Sequence, residues 1–595
     1  MKPMRWLLFG GVQTRLSIGG VFLAWFLIAG LTGFASDLQG DLASAFLIQD
    51  FDPLSGKDGW IWFGERLFRT TAGGKSWQEI TPPLSSGLQL AAVDFLNAEH
   101  GWAILTKRST EAENTLYLAR TFNGGQSWQI DPIPLDEEDR FLPIARHFLT
   151  VQDANTIWLV QKVVSSANFS VGILYRTSDG GHTWQRLELP IAAPIQKDDG
   201  GNLWMRGGAK GDEVYRSTDG GVTWSGVTQI PNLSQKLSED GLPELHMVSD
   251  TMGWKLERKG NCESQTVHPS FDGTSRQSLR CRVMERLWST EDGGRSWAVV
   301  PLPNGQTYLV REESVDTAWF ASPTAPQPLG EEVPETPLIA VMQGQAFDKC
   351  EIPTLEQLTT WKAHSPYRAV NVYIGGVHRA CPNTALTPEF IAQLRQQGWG
   401  LIPTWVGLQA RCTTYQYRMS KYPPKAYQEG RKEAEAATLA AQQLGLTNSA
   451  GHGSVIYYDL EHYEVRNEEC NQAARAFING WVERMTELGM IGGVYSTGRP
   501  LSQFVDLPNS PPVIWAAHWI ADSYDPEATV WDVSGLSNEW WKDRQRLRQY
   551  AGGHKETWGD VQLNIDSNVM DGIVSFHFYI PSGLDYQYYF PLIAR

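Results

Sequence analysis

The sequence predicts a two-part fold, an all-β propeller of about six blades (five to seven) followed by an (α/β)8 TIM-type barrel. Three observations predict it. A nine-residue motif recurs five times in the first half, a Pro-rich acidic stretch interrupts the chain, and eight apolar strand-like runs alternate with amphipathic segments in the second half. With 595 residues the chain exceeds one ordinary core, and its 42% hydrophobic and 19% charged content is that of globular protein rather than of a disordered chain.

The N-terminus carries Lys2, Arg5 and Arg15, then a nearly unbroken apolar run from Ile18 to Phe34 and a switch to polar sequence at Ser36. This reads as an export signal over residues 1–36. Small residues at Gly33 and Ala35 allow cleavage after Ala35, while the run is nearly long enough to span a bilayer. A cleaved signal and a retained anchor both stay open, and both place the remainder outside the cytoplasm, with membrane contact only through this segment.

Over residues 42–323 the motif reads R-T-T-A-G-G-K-S-W (Arg69 to Trp77), R-T-F-N-G-G-Q-S-W (from Arg120), R-T-S-D-G-G-H-T-W (from Arg176), R-S-T-D-G-G-V-T-W (from Arg216) and S-T-E-D-G-G-R-S-W (from Ser289). A strand-like segment with its own Trp precedes each copy, at Trp60, Trp102, Trp158, Trp204 and Trp254, and a sixth at Trp319 lacks the motif. Paired glycines supply the positive backbone angles of a tight turn, and Asp or Asn caps its N–H groups. The arginines opening the repeats occupy equivalent positions and so read as architectural.

These residues resemble the Asp-box (BNR) repeat of sialidases and of photosystem-assembly-factor-like propellers. The resemblance implies fold more than activity, because the Asp box stabilises turns at a rim. A sialidase needs an arginine cluster and a Tyr–Glu nucleophile pair, which cannot be assigned here. A binding or scaffolding platform, with a possible protein partner, is the expectation.

Residues 324–337 lie in a Pro-rich acidic linker that cannot bury a core. From 338 to 574 the apolar runs end at Asp348, Gly376, Gly407, Glu461, Ser496, Trp519, Gly552 and Asp566. In a barrel of this kind the site lies at the C-terminal strand ends. Those ends hold four carboxyls, Asp348, Asp459, Glu461 and Asp566, together with Tyr373, Trp405, Gln409, Tyr495, Trp515, Trp519 and Gln549. Acids for a glycosidic bond, aromatic faces for sugar rings and amides for hydroxyls make a carbohydrate site. An aromatic tail, 575–595, follows.

F-D-K-C, Y-I-G-G, V-G-L-Q-A, Y-Y-D-L-E-H-Y, G-V-Y-S and R-Q-Y-A-G-G followed by N-I-D resemble the secreted bacterial glycoside-hydrolase-like family, a domain of unknown function. More distantly, Asp348, the D-x-E pair Asp459 and Glu461, and Asp566 resemble the active-site carboxylates of family-25 muramidases, which cleave the glycan of peptidoglycan. The resemblance implies Glu461 as general acid. It implies Asp459 as stabiliser of the charged intermediate or orienter of a substrate acetamido group, with Asp348 and Asp566 tuning their proton affinities and holding the sugar. Crowded carboxylates agree with this, since repulsion keeps one protonated near neutrality.

Six cysteines, even in number, fit an oxidising compartment. Cys262 and Cys281 flank an insertion, and the preferred pairs elsewhere are Cys350–Cys381 and Cys412–Cys470. No C-x-x-C and no His spacing suggests a metal, and no cofactor is expected. The net charge of −16, with no long basic run past the N-terminus, argues against nucleic acid. The leading expectation is an exported hydrolase acting on a cell-envelope or extracellular polysaccharide. The alternatives are a non-catalytic glycan-binding or envelope-scaffold protein with a degenerate hydrolase barrel, and a propeller that assembles another protein complex.

Overall fold

The repeat turns are built as small hydrogen-bonded caps. In the third copy Asp179 Oδ1 accepts from the Thr183 N–H (2.9 Å) and Oδ2 from its hydroxyl (2.6 Å), and Gly180 and Gly181 adopt φ of 74° and 95°. Asp219 and Asp292 repeat these bonds with Thr223 and Ser296, and Asn123 accepts from the Ser127 N–H (3.0 Å). What all five copies share is a hydroxyl two residues earlier. Thr70, Thr121, Thr177, Ser217 and Thr290 each accept from the second glycine's N–H at 2.8–2.9 Å, including in the first copy, where Ala72 replaces the acid. The arginines then link one repeat to the next. Arg69 donates to the Gly124 carbonyl and Arg120 to that of Gly180, while Arg176 lies against Gly220.

The computed structural model describes residues 48–85, 87–107, 113–198, 200–227, 245–267, 276–316 and 338–576, all within one compact unit. The export segment, the Trp319 segment, the linker at 324–337 and nearly all of the tail lie outside the described residues. Four antiparallel sheets of four strands span Ile48–Glu79, Leu88–Ile133, Ile144–Glu188 and Gln196–Gly226. A fifth group is dominated by the hairpin Gly253–Val267 and Arg276–Thr290, whose register sets Cys262 opposite Cys281.

An all-β propeller followed by an (α/β)8 barrel is not the architecture found. The described residues are mostly small antiparallel sheets, with five α-helices in all. The fifth group is no separate blade, because Gly260 pairs with Trp558 and joins it to the second half in one 13-stranded sheet. Nor does the second half repeat strand and helix eight times. Seven strands, Ile339–Asp348, Tyr367–Gly375, Gly400–Trp405, Val455–Asp459, Ile491–Thr497, Ile514–Ala517 and Arg546–Trp558, run parallel. The eighth, Val561–Ser575, is antiparallel to both neighbours and closes the ring. A two-residue turn at Gly559–Asp560 joins the last two strands, so no helix fits between them.

Helices follow only the first five ring strands: Leu355–His364, Pro388–Gln396, Pro423–Gln443, Glu468–Glu487 and the short Gly498–Ser502. Thr354 with Gln357 forms a capping box, and Thr387 and Asn467 cap their own helices. Along Val455–Asp459 side chains alternate between faces. Ile456 and Tyr458 pack outward with Phe477 and Trp481, whereas Val455 and Tyr457 join an inner cluster drawn from all eight strands. The same period turns Asp459 inward.

Cysteines pair as Cys262–Cys281, Cys350–Cys381 and Cys412–Cys470. Such bonds persist in an oxidising, extracytoplasmic setting. Among the described residues no helix is long and apolar enough to cross a membrane.

Candidate carboxyl site

The ring brings the four carboxyls together by two routes. Asp459 ends its strand, and Glu461 follows in the loop, fixed by one amide. Gln409 Nε2 donates to the Asp459 carbonyl (2.8 Å) and its Oε1 accepts from the Glu461 N–H (2.8 Å). Asp348 ends the first strand. Asp566 arrives differently from expectation, since its strand is antiparallel and runs on to Ser575. It is a mid-strand residue, in register opposite Asp348.

Gln549 is the bridge between this second pair. Its Nε2 donates to both Asp348 oxygens (3.1 Å each) and to Asp566 Oδ2 (3.0 Å), and its Oε1 accepts from Tyr495 (3.0 Å) and Trp519 (2.9 Å). Tyr373 donates to Asp348 Oδ2 (3.1 Å). Trp515 donates to Asn568 Oδ1 (2.7 Å), and Asn568 Nδ2 in turn donates to Asp348 Oδ1 (2.7 Å). Trp405 donates to Glu433 (2.5 Å). Thus Tyr373, Gln409 and Gln549 are buried and hold carboxyls or backbone, Tyr495 and Trp515 are buried and hold the amides of Gln549 and Asn568, and Trp405 and Trp519 keep partly exposed faces.

Burial dominates the electrostatics. It pushes Asp459 up to about 7 and Asp348 up to about 6, and it holds Glu461 and Asp566 well above the usual carboxylate range, with repulsion from Asp459 and Asp348 respectively adding to it. Within each pair the neighbouring carboxyl favours the protonated form, of Glu461 beside Asp459 and of Asp566 beside Asp348. A buried acid held in its protonated form beside a second carboxyl is the kind of group that can pass a proton to a leaving oxygen.

The site is closed. Asp348 and Asp459 are 0% exposed, Glu461 2% and Asp566 5%. Closure comes from the first half, at a residue that sequence reasoning missed. The Ser166 N–H donates to Glu461 Oε1 (2.9 Å) and its hydroxyl to Asp459 Oδ2 (2.6 Å). No local signal marks Ser166, because 293 residues separate it from Asp459. Asn568 was missed for a simpler reason, being hidden by the unforeseen strand direction. A cavity of about 140 Å³ lies beside Asp459 and Glu461, lined by Lys162, Ser166, Lys210, Asp348, Trp519 and Asp566 among others. Asp459 and Glu461 do not line it.

Residues 359–570 match the Rv2525c-like, glycoside hydrolase-like domain family. The matched segment holds Asp459, Glu461 and Asp566 but begins after Asp348. No curated protein matches the chain. Among solved structures, the chain is similar to the Mycobacterium tuberculosis Tat-secreted protein Rv2525c in complex with HEPES (12% identity, 38% of this chain and 95% of that one, TM-score 0.23). It is also similar to GHIP, a glycosyl hydrolase 25 of Streptococcus pneumoniae (14%, 38% and 86%, TM-score 0.24). A third similarity is to the GH74 xyloglucanase of Xanthomonas campestris (14%, 43% and 45%, TM-score 0.23). Likenesses this slight say nothing about the substrate of this chain.

Proposed function

We propose that this is an exported protein whose glycoside hydrolase-like domain acts on a cell-envelope or extracellular polysaccharide of the peptidoglycan kind, with the first half as its binding or scaffolding module. One observation carries this reading: four buried carboxyls, Asp459 with Glu461 under Ser166 and Asp348 with Asp566 under Gln549, converge at one end of the ring. Glu461 hands its proton to the glycosidic oxygen as the carbon–oxygen bond breaks. Asp459 stabilises the positive charge left on the sugar or orients an acetamido group that attacks it, and water then completes hydrolysis. Asp348 and Asp566 hold the sugar and tune the acid, and Trp405 and Trp519 offer ring faces.

A second reading, a non-catalytic glycan-binding or envelope-scaffold protein, is favoured by the burial of all four carboxyls and by Ser166 on two of them. In this conformation no sugar reaches Glu461. The test is to incubate the full exported chain with peptidoglycan and other glycans and to measure new reducing ends. Release that Glu461→Gln abolishes supports hydrolysis. Binding without release selects the second reading, and release untouched by Glu461→Gln removes Glu461 from its role.

A further inference from the structure

We propose that the connection Val164–Val171 of the first half is a built-in plug that occupies the sugar position over Asp459 and Glu461 and leaves it to admit a glycan. The inference rests on the reading of this site as a glycan site, and it adds a regulatory role for the first half.

The connection is longer than its counterpart in the first sheet and as long as the one between Gly101–Lys107 and Leu116–Thr121 in the second. In the first sheet the equivalent strands, Gly59–Phe63 and Arg66–Thr70, are joined by the two residues Gly64 and Glu65. In the third sheet the strands Ile157–Val163 and Gly172–Thr177 are joined by Val164 through Val171. The added residues form a tight excursion, closed on itself by Phe169 N–H to the Ser166 carbonyl (3.0 Å) and Ser165 hydroxyl to the Phe169 carbonyl (3.2 Å).

Each part of the excursion meets the ring. Val164 joins the apolar cluster inside it, and Ser165, Ser166 and Asn168 are all at most 4% exposed. Asn168 Oδ1 accepts from the Ala380 N–H (2.9 Å). Phe169 packs its ring against those of Tyr415 and His378, at 4.7 and 5.8 Å. Ser166 gives one N–H to Glu461 Oε1 and one O–H to Asp459 Oδ2, donors of the kind a saccharide itself presents, and leaves the buried Asp459 Oδ1 without a partner among the described residues. Every one of these contacts is polar and short-range, or made by a single apolar side chain, rather than a covalent or strand-ladder tie. A plug of this kind can be withdrawn without unfolding either half.

The experiment compares the full chain with two variants, Phe169→Ala and a chain in which Ser165–Ser170 is replaced by Asn-Gly, after thermal melts establish that each folds. Carboxyl groups are labelled with a water-soluble carbodiimide and an amine, and Asp459 and Glu461 are read by mass spectrometry. At least tenfold more labelling of Asp459 and Glu461 in the shortened chain, with a smaller rise in Phe169→Ala, is the expected result. Equal labelling in all three chains overturns the plug. Sedimentation with peptidoglycan is measured in parallel, and tighter binding by the shortened chain is expected. Weaker binding overturns an inhibitory role and makes the segment part of the site. Labelling reports the plug whether or not any chain releases reducing ends, so failure of the hydrolase reading and failure of the plug are distinguishable.

Discussion

Asp348 and Asp566 face each other across antiparallel strands as register partners, and a single side chain, Gln549, donates to both. Burial holds both acids above the ordinary carboxylate range, Asp348 at about 6 and Asp566 well above 3.8, where repulsion from Asp348 adds to it. With Asn568 and Tyr373, Gln549 favours the charged form of Asp348 by donating to it. Substituting Gln549→Met removes the donor while keeping similar bulk. The expected result is a further rise of Asp348 above about 6, read by carbon-detected NMR titration, and a loss of about 1–3 kcal/mol in urea denaturation.

Stability should depend on pH through Asp459 and Asp348 with a definite sign. Both have folded values, about 7 and about 6, above the ordinary 3.8. Between those limits the folded chain binds more protons than the unfolded one, so their contribution is fully present below about pH 4 and is lost as pH rises to about 7. Asp459→Asn removes its share. Melting curves from pH 4 to 7 should show the variant losing less stability than the parent, and an identical slope in both chains would rule out the raised value for Asp459.

Much of this was legible where the signal is local. The D-G-G turns announce themselves because only glycine takes their angles cheaply, and the apolar runs expected to end at Asp348 and Glu461 are strands that end at Asp348 and Asp459, the latter buried throughout. Strand direction is not local. V-Q-L-N-I-D reads the same in a parallel or an antiparallel neighbour, and only the two-residue turn at Gly559–Asp560 betrays the reversal. Ser166 and the Gly260–Trp558 junction join segments far apart in sequence, and nothing in either segment names its partner.

The repeat turns also have a packing limit. Gly181 sits at φ 95°, and a Cβ there would lie 2.6 Å from Leu118 Cδ2 on the preceding sheet. Gly181→Ala combines backbone strain with that clash, and a cost of about 1–3 kcal/mol is expected in denaturant unfolding. Gly201→Ala is the control for backbone angle alone, having φ of 80° with open space around it, and should cost less.

The disulfides should rank by the loops they close. Cys412–Cys470 spans 58 residues and Cys262–Cys281 only 19, within an already paired hairpin. Replacing the first pair by Ser is expected to cost about 2–4 kcal/mol, and the second less. Thermal melts of the two double variants decide the order, and a larger loss for the hairpin pair would contradict the loop-entropy account.

Gln409 offers the sharpest separation of positioning from charge. Its two amide atoms grip the backbone on either side of Leu460, one holding the Asp459 carbonyl and the other the Glu461 N–H. Gln409→Glu keeps an acceptor for the Glu461 N–H but loses the donor and adds a carboxyl beside two that already repel. Gln409→Met loses both bonds without adding charge. The Met variant should therefore be less stable than the parent by about 1–3 kcal/mol and expose the Glu461 amide to faster hydrogen exchange. The Glu variant should retain protection of that amide at low pH, where the new acid is neutral, and lose it as pH rises. Hydrogen exchange at Glu461 that is unchanged in both variants would show that the strand end, not Gln409, fixes the pair.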